Sequence, residues 1–248
     1  MARIIVKEPS RKREERKEYY VPNEEHDYHT DFGTINKEAL KKCGVVVFGK
    51  ETFRIYPATF ADQYTRLRRG VQIITPKDLG LMMAETGIDR DTVVLDIGFG
   101  SGAVTAYLSR IAAKVYAYDV EKHNLDQGLK NLEELDTPKR YDVKLGDAYN
   151  PDTIAQENEI DVFILDVPEP WRALATAKKA LKQGGWLVGY TPCITQAMQL
   201  VDALDGSWAL VKTCELIERE WKVGGQAVRP VTRDFGHSAF LTFVRKVS

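Results

Sequence analysis

Apolar runs alternate with amphipathic stretches along most of the chain, and the change of period marks its elements. Four near-continuous apolar runs, VVLDI at 93–97, KVYAYD at 114–119, DVFILD at 161–166 and WLVGYT at 186–191, predict strands. YDVKLGD at 141–147 alternates more weakly and predicts another. Segments of helical period lie near 78–86, 101–112, 121–134, 171–183 and 194–204. Pro170 suits an early helical position, where its missing N–H costs nothing, and Gly184-Gly185 suits a stop. Apolar strands separated by helices predict a mostly parallel sheet covered on both faces. The tail breaks this alternation. WALVKTCELIERE and HSAFLTFVRK read as two strands with no helix between them, a closing antiparallel hairpin. Upstream, from 33 to 56, short runs (CGVVVF, TFRIY) between glycine and charged turns predict a small β-rich module. The boundary is placed so that 1–65 form the module and 66–248 the α/β domain.

Composition narrows the class. A chain of 248 residues, 44% hydrophobic and 29% charged, can bury a sizeable core and is not disordered throughout. No apolar run approaches the ~18 residues a membrane helix needs. The start, MARIIVKEPSRKREERKEYY, has neither the apolar stretch nor the cleavage site of a secretory signal. Cys43, Cys193 and Cys214 lie in unrelated segments without a CxxC pair, which reads as reduced, buried thiols of a cytoplasmic protein. With 35 Lys and Arg against 36 Asp and Glu, a nucleic-acid partner must be met by local patches. Arg11, Lys12, Arg13, Arg16 and Lys17 interleave with Glu14, Glu15 and Glu18 and read as a solvated tail or helix. Arg66, Arg68 and Arg69 have no acid among them and precede a turn. His26 and His123 read as surface residues, His29 and His237 as structural hydrogen-bond partners. No metal-ligand spacing and no Ser/His/Asp order is present.

Chemistry concentrates after the strands. Asp96-Ile97-Gly98-Phe99-Gly100-Ser101-Gly102-Ala103 follows the first strong strand, and such glycines bring backbone N–H groups close to a ligand at a helix start. Gly98, Gly100 and Ala103 satisfy a loose dinucleotide pattern, and Asp119, about 20 residues on, would suit the ribose of NAD. Two acids pull the other way. Asp96, two residues before Gly98, can meet a cationic, aminoacid-bearing cofactor, and Asp147 can accept from an adenine amino group. Acids on three successive strands fit S-adenosylmethionine better than a pyrophosphate, which they would repel. The fourth strand is followed by Asp166-Val167-Pro168-Glu169-Pro170-Trp171, a loop stiffened by two prolines. Asp166 reads as functional and Trp171 as mainly structural.

These segments resemble the tRNA adenine-N1 methyltransferases that act at position 58 of the T-loop, in their archaeal and bacterial homo-oligomeric form. The likeness runs through Tyr28-His29-Thr30 with Gly33, Arg69-Gly70-Val71-Gln72-Ile73-Ile74-Thr75-Pro76-Lys77-Asp78, the glycine loop and the 166–171 block. It continues in Gly189-Tyr190-Thr191-Pro192-Cys193-Ile194-Thr195-Gln196 and Gly236-His237-Ser238-Ala239-Phe240. What the resemblance implies is a Rossmann-like class I methyltransferase with a seven-stranded, mostly parallel sheet, assembled as a homotetramer that binds tRNA in the cytoplasm, without membrane or metal. It implies cofactor contacts from Gln72, Ser101, Gly102, Ala103, Val104, Asp119, Asn124, Asp147 and Asp166, beside Asp96, Gly98 and Gly100. Asp166 and Tyr190 would be catalytic. Thr75, Arg66, Arg68, Arg69 and Trp171 would meet the substrate. Thr75 stands where the family pattern has an aromatic or histidine, which opens the choice between one target adenine and two. Phe99 replaces a small residue and Asp119 a Glu. A non-catalytic tRNA-binding subunit on the same fold, or methyl transfer to another acceptor, stays open beside this reading.

Overall fold

The computed structural model describes residues 1–8, 17–48, 50–68, 72–223, 228–232 and 236–248. The chain divides into two compact units, Met1–Leu67 and Arg68–Ser248.

The first unit is β-rich. Its elements are β1 (Arg3–Lys7), β2 (Lys17–Val21), β3 (Tyr28–Thr30), β4 (Gly33–Ile35), α1 (Lys37–Lys42), β5 (Gly44–Phe48), β6 (Glu51–Pro57) and α2 (Phe60–Tyr64). An antiparallel sheet runs in the order β2-β1-β6-β5, and β3 pairs with β4. All five residues of β1 are buried, although RIIVK lies outside the 33–56 stretch from which the module is predicted. Ile5, Val21, Ile35, Leu40, Phe53 and Ile55 share one small core. Lys7, 1% exposed, is compensated by Glu51 at 2.8 Å. Lys17 and Glu18 belong to β2, so this part of the basic start is a strand rather than a tail or helix. Arg11, Lys12, Arg13, Glu14, Glu15 and Arg16 lie outside the described residues.

The second unit is an α/β domain. It contains α3 (Pro76–Thr86), β7 (Val93–Ile97), α4 (Ala103–Leu108), β8 (Lys114–Asp119), α5 (Lys122–Glu134), β9 (Tyr141–Leu145) and β10 (Ile160–Leu165). There follow α6 (Leu174–Ala180), β11 (Leu181–Thr191), α7 (Ile194–Asp202), β12 (Trp208–Cys214), β13 (Trp221–Lys222), β14 (Arg229–Pro230) and β15 (Phe240–Lys246). The seven-stranded sheet has the order β12-β15-β11-β10-β7-β8-β9. The stretch from β11 to β9 is parallel, while β15 inserts between β11 and β12 and runs antiparallel to both. Successive strand residues enter opposite cores: Val94, Val162, Val188 and Phe243 pack on one face, Leu95, Phe163, Leu187 and Val244 on the other. Burial of both faces is why these strands read as unbroken apolar runs.

Several boundaries differ from the pattern. The helix predicted over 101–112 begins only at Ala103, because Gly102 adopts a left-handed conformation (φ +74°) and belongs to the loop. The 171–183 segment is a 3-10 turn, Pro170–Ala173, followed by α6. Gly184-Gly185 is not its stop. The pair lies inside β11, at the irregularity where the ladder with β10 steps from Ile160–Leu181 to Val162–Trp186. Cys193 is exposed and Cys43 and Cys214 half-buried, so the reading of all three thiols as buried is corrected; all are free. Among the described residues, no helix is long and apolar enough to cross a membrane.

Candidate functional site

Beyond the carboxyl ends of β7, β8, β9 and β10 lies a cavity of about 600 Å³, within the range of small-molecule sites. The glycine loop forms one wall. Gly98 and Phe99 N–H groups both donate to the Tyr118 carbonyl at 3.0 Å, and Asp166 N–H donates to the Ile97 carbonyl at 2.9 Å. Gly98 has a φ of +91°, and a Cβ there would lie 2.1 Å from the Asp166 carbonyl oxygen. Only glycine allows that approach. Phe99 is buried, and its bulk is matched by Gly128 on α5, where a Cβ would come within 2.2 Å of the ring.

The expected cofactor residues converge on this cavity, with two exceptions. Gln72, Gly98, Gly100, Ser101, Ala103, Val104, Asp119, Asn124, Asp147 and Asp166 line it; Gly102 and Asp96 do not. Asp119 accepts from Gly100 N–H at 2.8 Å, Glu121 N–H at 2.9 Å and Asn124 Nδ2 at 3.2 Å, so one carboxylate ties the loop to the start of α5. Asp147 stands beyond the end of β9, with Oδ1 accepting from Tyr149 N–H at 2.8 Å. Asp96 is fully buried, and its carboxylate accepts from Thr105 Oγ1 of α4 at 2.7 Å, which corrects the expectation that it meets a ligand directly. Burial pushes Asp96 up to about 7, with Asp166 and Asp119 adding to the rise and the Thr105 bond opposing it.

The cavity has one sign of charge. Asp119, Glu121, Asp147, Asp166 and Glu169 line it, and no Lys, Arg or His does among the described residues. Glu169 is partly neutralised by Arg172 at 2.6 Å. Burial pushes Asp166 up to about 7. Among the described residues, no side chain hydrogen-bonds its carboxylate, which leaves it for a ligand. This donor set fits S-adenosylmethionine, whose sulfonium and ammonium are cationic, and does not fit the pyrophosphate of a dinucleotide.

Residues expected at the substrate side are more dispersed. Tyr190 is buried and donates from its hydroxyl to Asp78 at 3.3 Å; burial, then the Asp78 and Asp166 carboxylates, raise its phenol and keep the proton on. Thr75 Oγ1 also donates to Asp78, at 2.9 Å. Neither Thr75, Tyr190 nor Trp171 lines the cavity. Arg66 pairs with Glu18 at 3.0 Å, and Arg68 lies 3.9 Å from Glu134, so the fold brings acids to a cluster that has none in sequence. Arg69 lies outside the described residues. His29 bonds Thr34 Oγ1 at 2.8 Å, and His237 bonds Glu215 at 2.8 Å and the Pro192 carbonyl at 3.0 Å.

Four residues join the site beside those expected there: Asp78 and Gln196 lie in segments that carry the family resemblance, while Asn131 and Tyr149 have no sequence signal of their own. Buried Asn131 donates to the Ser101 carbonyl at 2.9 Å and the Arg68 carbonyl at 3.0 Å, fastening the glycine loop from behind. Tyr149 lines the cavity, accepts from Glu169 N–H at 3.0 Å and lies under the Arg172 guanidinium. Gln196 donates to the Pro168 carbonyl at 2.8 Å and accepts from Cys193 N–H at 3.1 Å, tying the 166–171 loop to α7. Asp78 gathers Thr75 and Tyr190.

Comparison with known proteins adds a lineage to this geometry. Residues 63–229 match the family described as tRNA methyltransferase complex GCD14 subunit. The tRNA (adenine(57)-N(1)/adenine(58)-N(1))-methyltransferase TrmI of Methanocaldococcus jannaschii is 32% identical, over 92% of this chain and 91% of its own. The tRNA (adenine(58)-N(1))-methyltransferase TrmI of Thermus thermophilus is 30% identical over 91% of both chains. Among solved structures, the tRNA (m1A58) methyltransferase TrmI from Aquifex aeolicus aligns with a TM-score of 0.84 at 23% identity, covering 99% of this chain and 97% of its own. A SAM-dependent O-methyltransferase from Thermotoga maritima gives 0.85 at 24% identity, covering 99% and 93%. Both structures share the fold of this chain.

Proposed function

Since this chain belongs to the GCD14 family of tRNA methyltransferase subunits, we propose that it transfers a methyl group from S-adenosylmethionine to N1 of adenine 58 in the tRNA T-loop. The observation that carries this reading is the cavity lined by five carboxylates and, among the described residues, by no Lys, Arg or His, with in its wall an Asp166 carboxylate that no described side chain hydrogen-bonds. S-adenosylmethionine, when bound, supplies a methyl group on a sulfonium. Gln72, Gly98, Gly100, Ser101, Ala103, Val104, Asn124 and Asp147 would hold it, with Asp119 on the ribose hydroxyls. Asp147 has one oxygen left over from its bond to Tyr149 N–H, which suits an adenine amino group.

Adenine N1 is a free lone pair at neutral pH, so no base is needed to create the nucleophile. The work left for the protein is orientation and charge. Asp166 would accept from the exocyclic amino group, which aligns N1, and its negative charge would balance the positive charge that grows on the ring. Tyr190, a neutral phenol, would border the base with Thr75. The base must leave its stack, at a cost of a few kcal/mol. Phosphate contacts by Arg66, Arg68, Arg69 and the first unit would hold the surrounding RNA. Arg66 and Arg68 are paired at the surface, and exposed pairs of this kind exchange for phosphate at little cost. We place the enzyme in the cytoplasm as a homotetramer; exposed Leu210 and Val211 on edge strand β12 support self-association.

A non-catalytic tRNA-binding subunit would have no use for the acidic cavity or the free Asp166 carboxylate. The test is incubation with unmodified tRNA and methyl-labelled S-adenosylmethionine, followed by digestion and mapping of the labelled nucleoside. N1-methyladenosine at position 58 is the expected product. Label in another nucleoside, or none despite cofactor binding, overturns the proposal.

A further inference from the structure

The pattern Thr-x-x-Asp opens two helices of this chain, and the two use their acids differently. At α2 the capping box is closed: Thr59 N–H donates to Asp62 Oδ2 at 2.7 Å, and Asp62 N–H donates to Thr59 Oγ1 at 3.3 Å. This is the ordinary work of an acid three residues into a helix. At α3 neither backbone bond forms. Thr75 Oγ1 still donates to the acid, but Asp78 is 0% exposed and its carboxylate collects donors from elsewhere. Ser238 Oγ, just before β15, donates to Oδ2 at 2.6 Å, and the Tyr190 hydroxyl of β11 donates to the same oxygen at 3.3 Å. Lys77 Nζ supplies the counter-charge at 2.8 Å on Oδ1, and is itself fixed by Ser238 Oγ and the Leu216 carbonyl, both at 2.6 Å. Capping explains none of these convergent bonds. A buried carboxylate is costly to keep unless it is fully bonded, and this one is bonded to the residues that flank the proposed target base.

We infer that Asp78 is the positioning residue of the methyl-transfer site, the buried anchor from which Thr75 and Tyr190 are both held for the target adenine. The inference rests on the methyl-transfer reading above. Asp78 lies outside the lining of the cofactor cavity, so its effect falls on the base and not on the cofactor.

The test is Asp78→Asn in the full chain. The amide keeps the size of the side chain but can turn an N–H toward converging hydroxyl protons, so the set of bonds cannot be completed. Small misplacement at a reacting centre costs about 10²-fold in rate. We expect kcat on tRNA to fall about 10- to 100-fold, with the Kd of S-adenosylmethionine, from calorimetric titration, held within about twofold because no cavity-lining group changes. Combined with Tyr190→Phe, the double variant should fall little further than the worse single variant, because both act through one contact. Should Asp78→Asn not fold, Thr75→Val, Tyr190→Phe and their double variant carry the test, since each removes one bond to the same oxygen. Coupled losses support the anchor. Losses that simply multiply, wild-type turnover in Asp78→Asn, or cofactor affinity falling in step with kcat all overturn it. A wild type that transfers nothing to tRNA sinks the methyl-transfer reading and this inference with it; an active wild type with an equally active Asp78→Asn sinks the inference alone.

Discussion

Asp96 is buried and Asp166 half-buried, neither has a cation beside it among the described residues, and desolvation pushes each up to about 7. The role proposed for Asp166 needs the charged form. We therefore expect kcat/KM for S-adenosylmethionine to rise with pH through about 7, since this ratio reports the free enzyme. A bound cation favours the carboxylate, so the inflection in kcat should lie at lower pH. Profiles flat across neutral pH would contradict both expectations. For stability the sign reverses. The folded chain holds the Asp96 proton more tightly than the unfolded chain, whose carboxyl titrates near 3.8. Stability from this group is full at low pH and is lost as pH rises from 3.8 to about 7. Asp96→Asn should remove that loss and stabilise the cofactor-free protein at alkaline pH by on the order of a few kcal/mol, read by urea unfolding. Unchanged stability would contradict it. Legibility in sequence followed distance along the chain. Asp119, Asp147 and Asp166 stand at or just past strand ends, a local signal. Asn131 carries no such signal, because its partner Ser101 lies 30 positions away, and the local Thr-x-x-Asp pattern at Asp78 points to a helix cap rather than to Ser238, 160 positions away.

The glycine loop shows how an element sets the position of its neighbour. A Cβ at Gly98 would meet the Asp166 carbonyl, on a backbone already at positive φ. Gly98→Ala should displace the 166–171 loop and weaken S-adenosylmethionine by about tenfold or more, given strain of ~1–3 kcal/mol. Calorimetric titration reads this; wild-type affinity would contradict it. The central strands were legible because both of their faces are buried, so the apolar run carries no ambiguity of register. Where the pattern failed, the cause is local. Gly102 opens α4 from the left-handed region and shortens the helix, while Gly184-Gly185 serves a ladder irregularity rather than a stop. β13 and β14, two residues each, are too short to leave a period, and β1 is an isolated run before any turn signal.

Across the whole chain, 35 Lys and Arg against 36 Asp and Glu mean that, on the proposed function, RNA would be held by a few placed contacts rather than by net charge. Those contacts displace counterions, so tRNA affinity should fall on the order of 10²-fold between about 50 and 200 mM salt. A flat salt response, measured by filter binding, would remove the arginine contacts from the proposal. The proposed function rests most heavily on one group, the Asp166 carboxylate, which we propose turns cofactor binding into transfer. The measurement that isolates it is the rate of N1-methyladenosine formation in tRNA by wild type and by Asp166→Ala, at saturating cofactor. Removing one aimed charge from a dry site typically costs ~3–4 kcal/mol, so the variant should be slower by on the order of 10²–10³ while still binding S-adenosylmethionine. Transfer by Asp166→Ala at the wild-type rate would contradict the role assigned to this carboxylate.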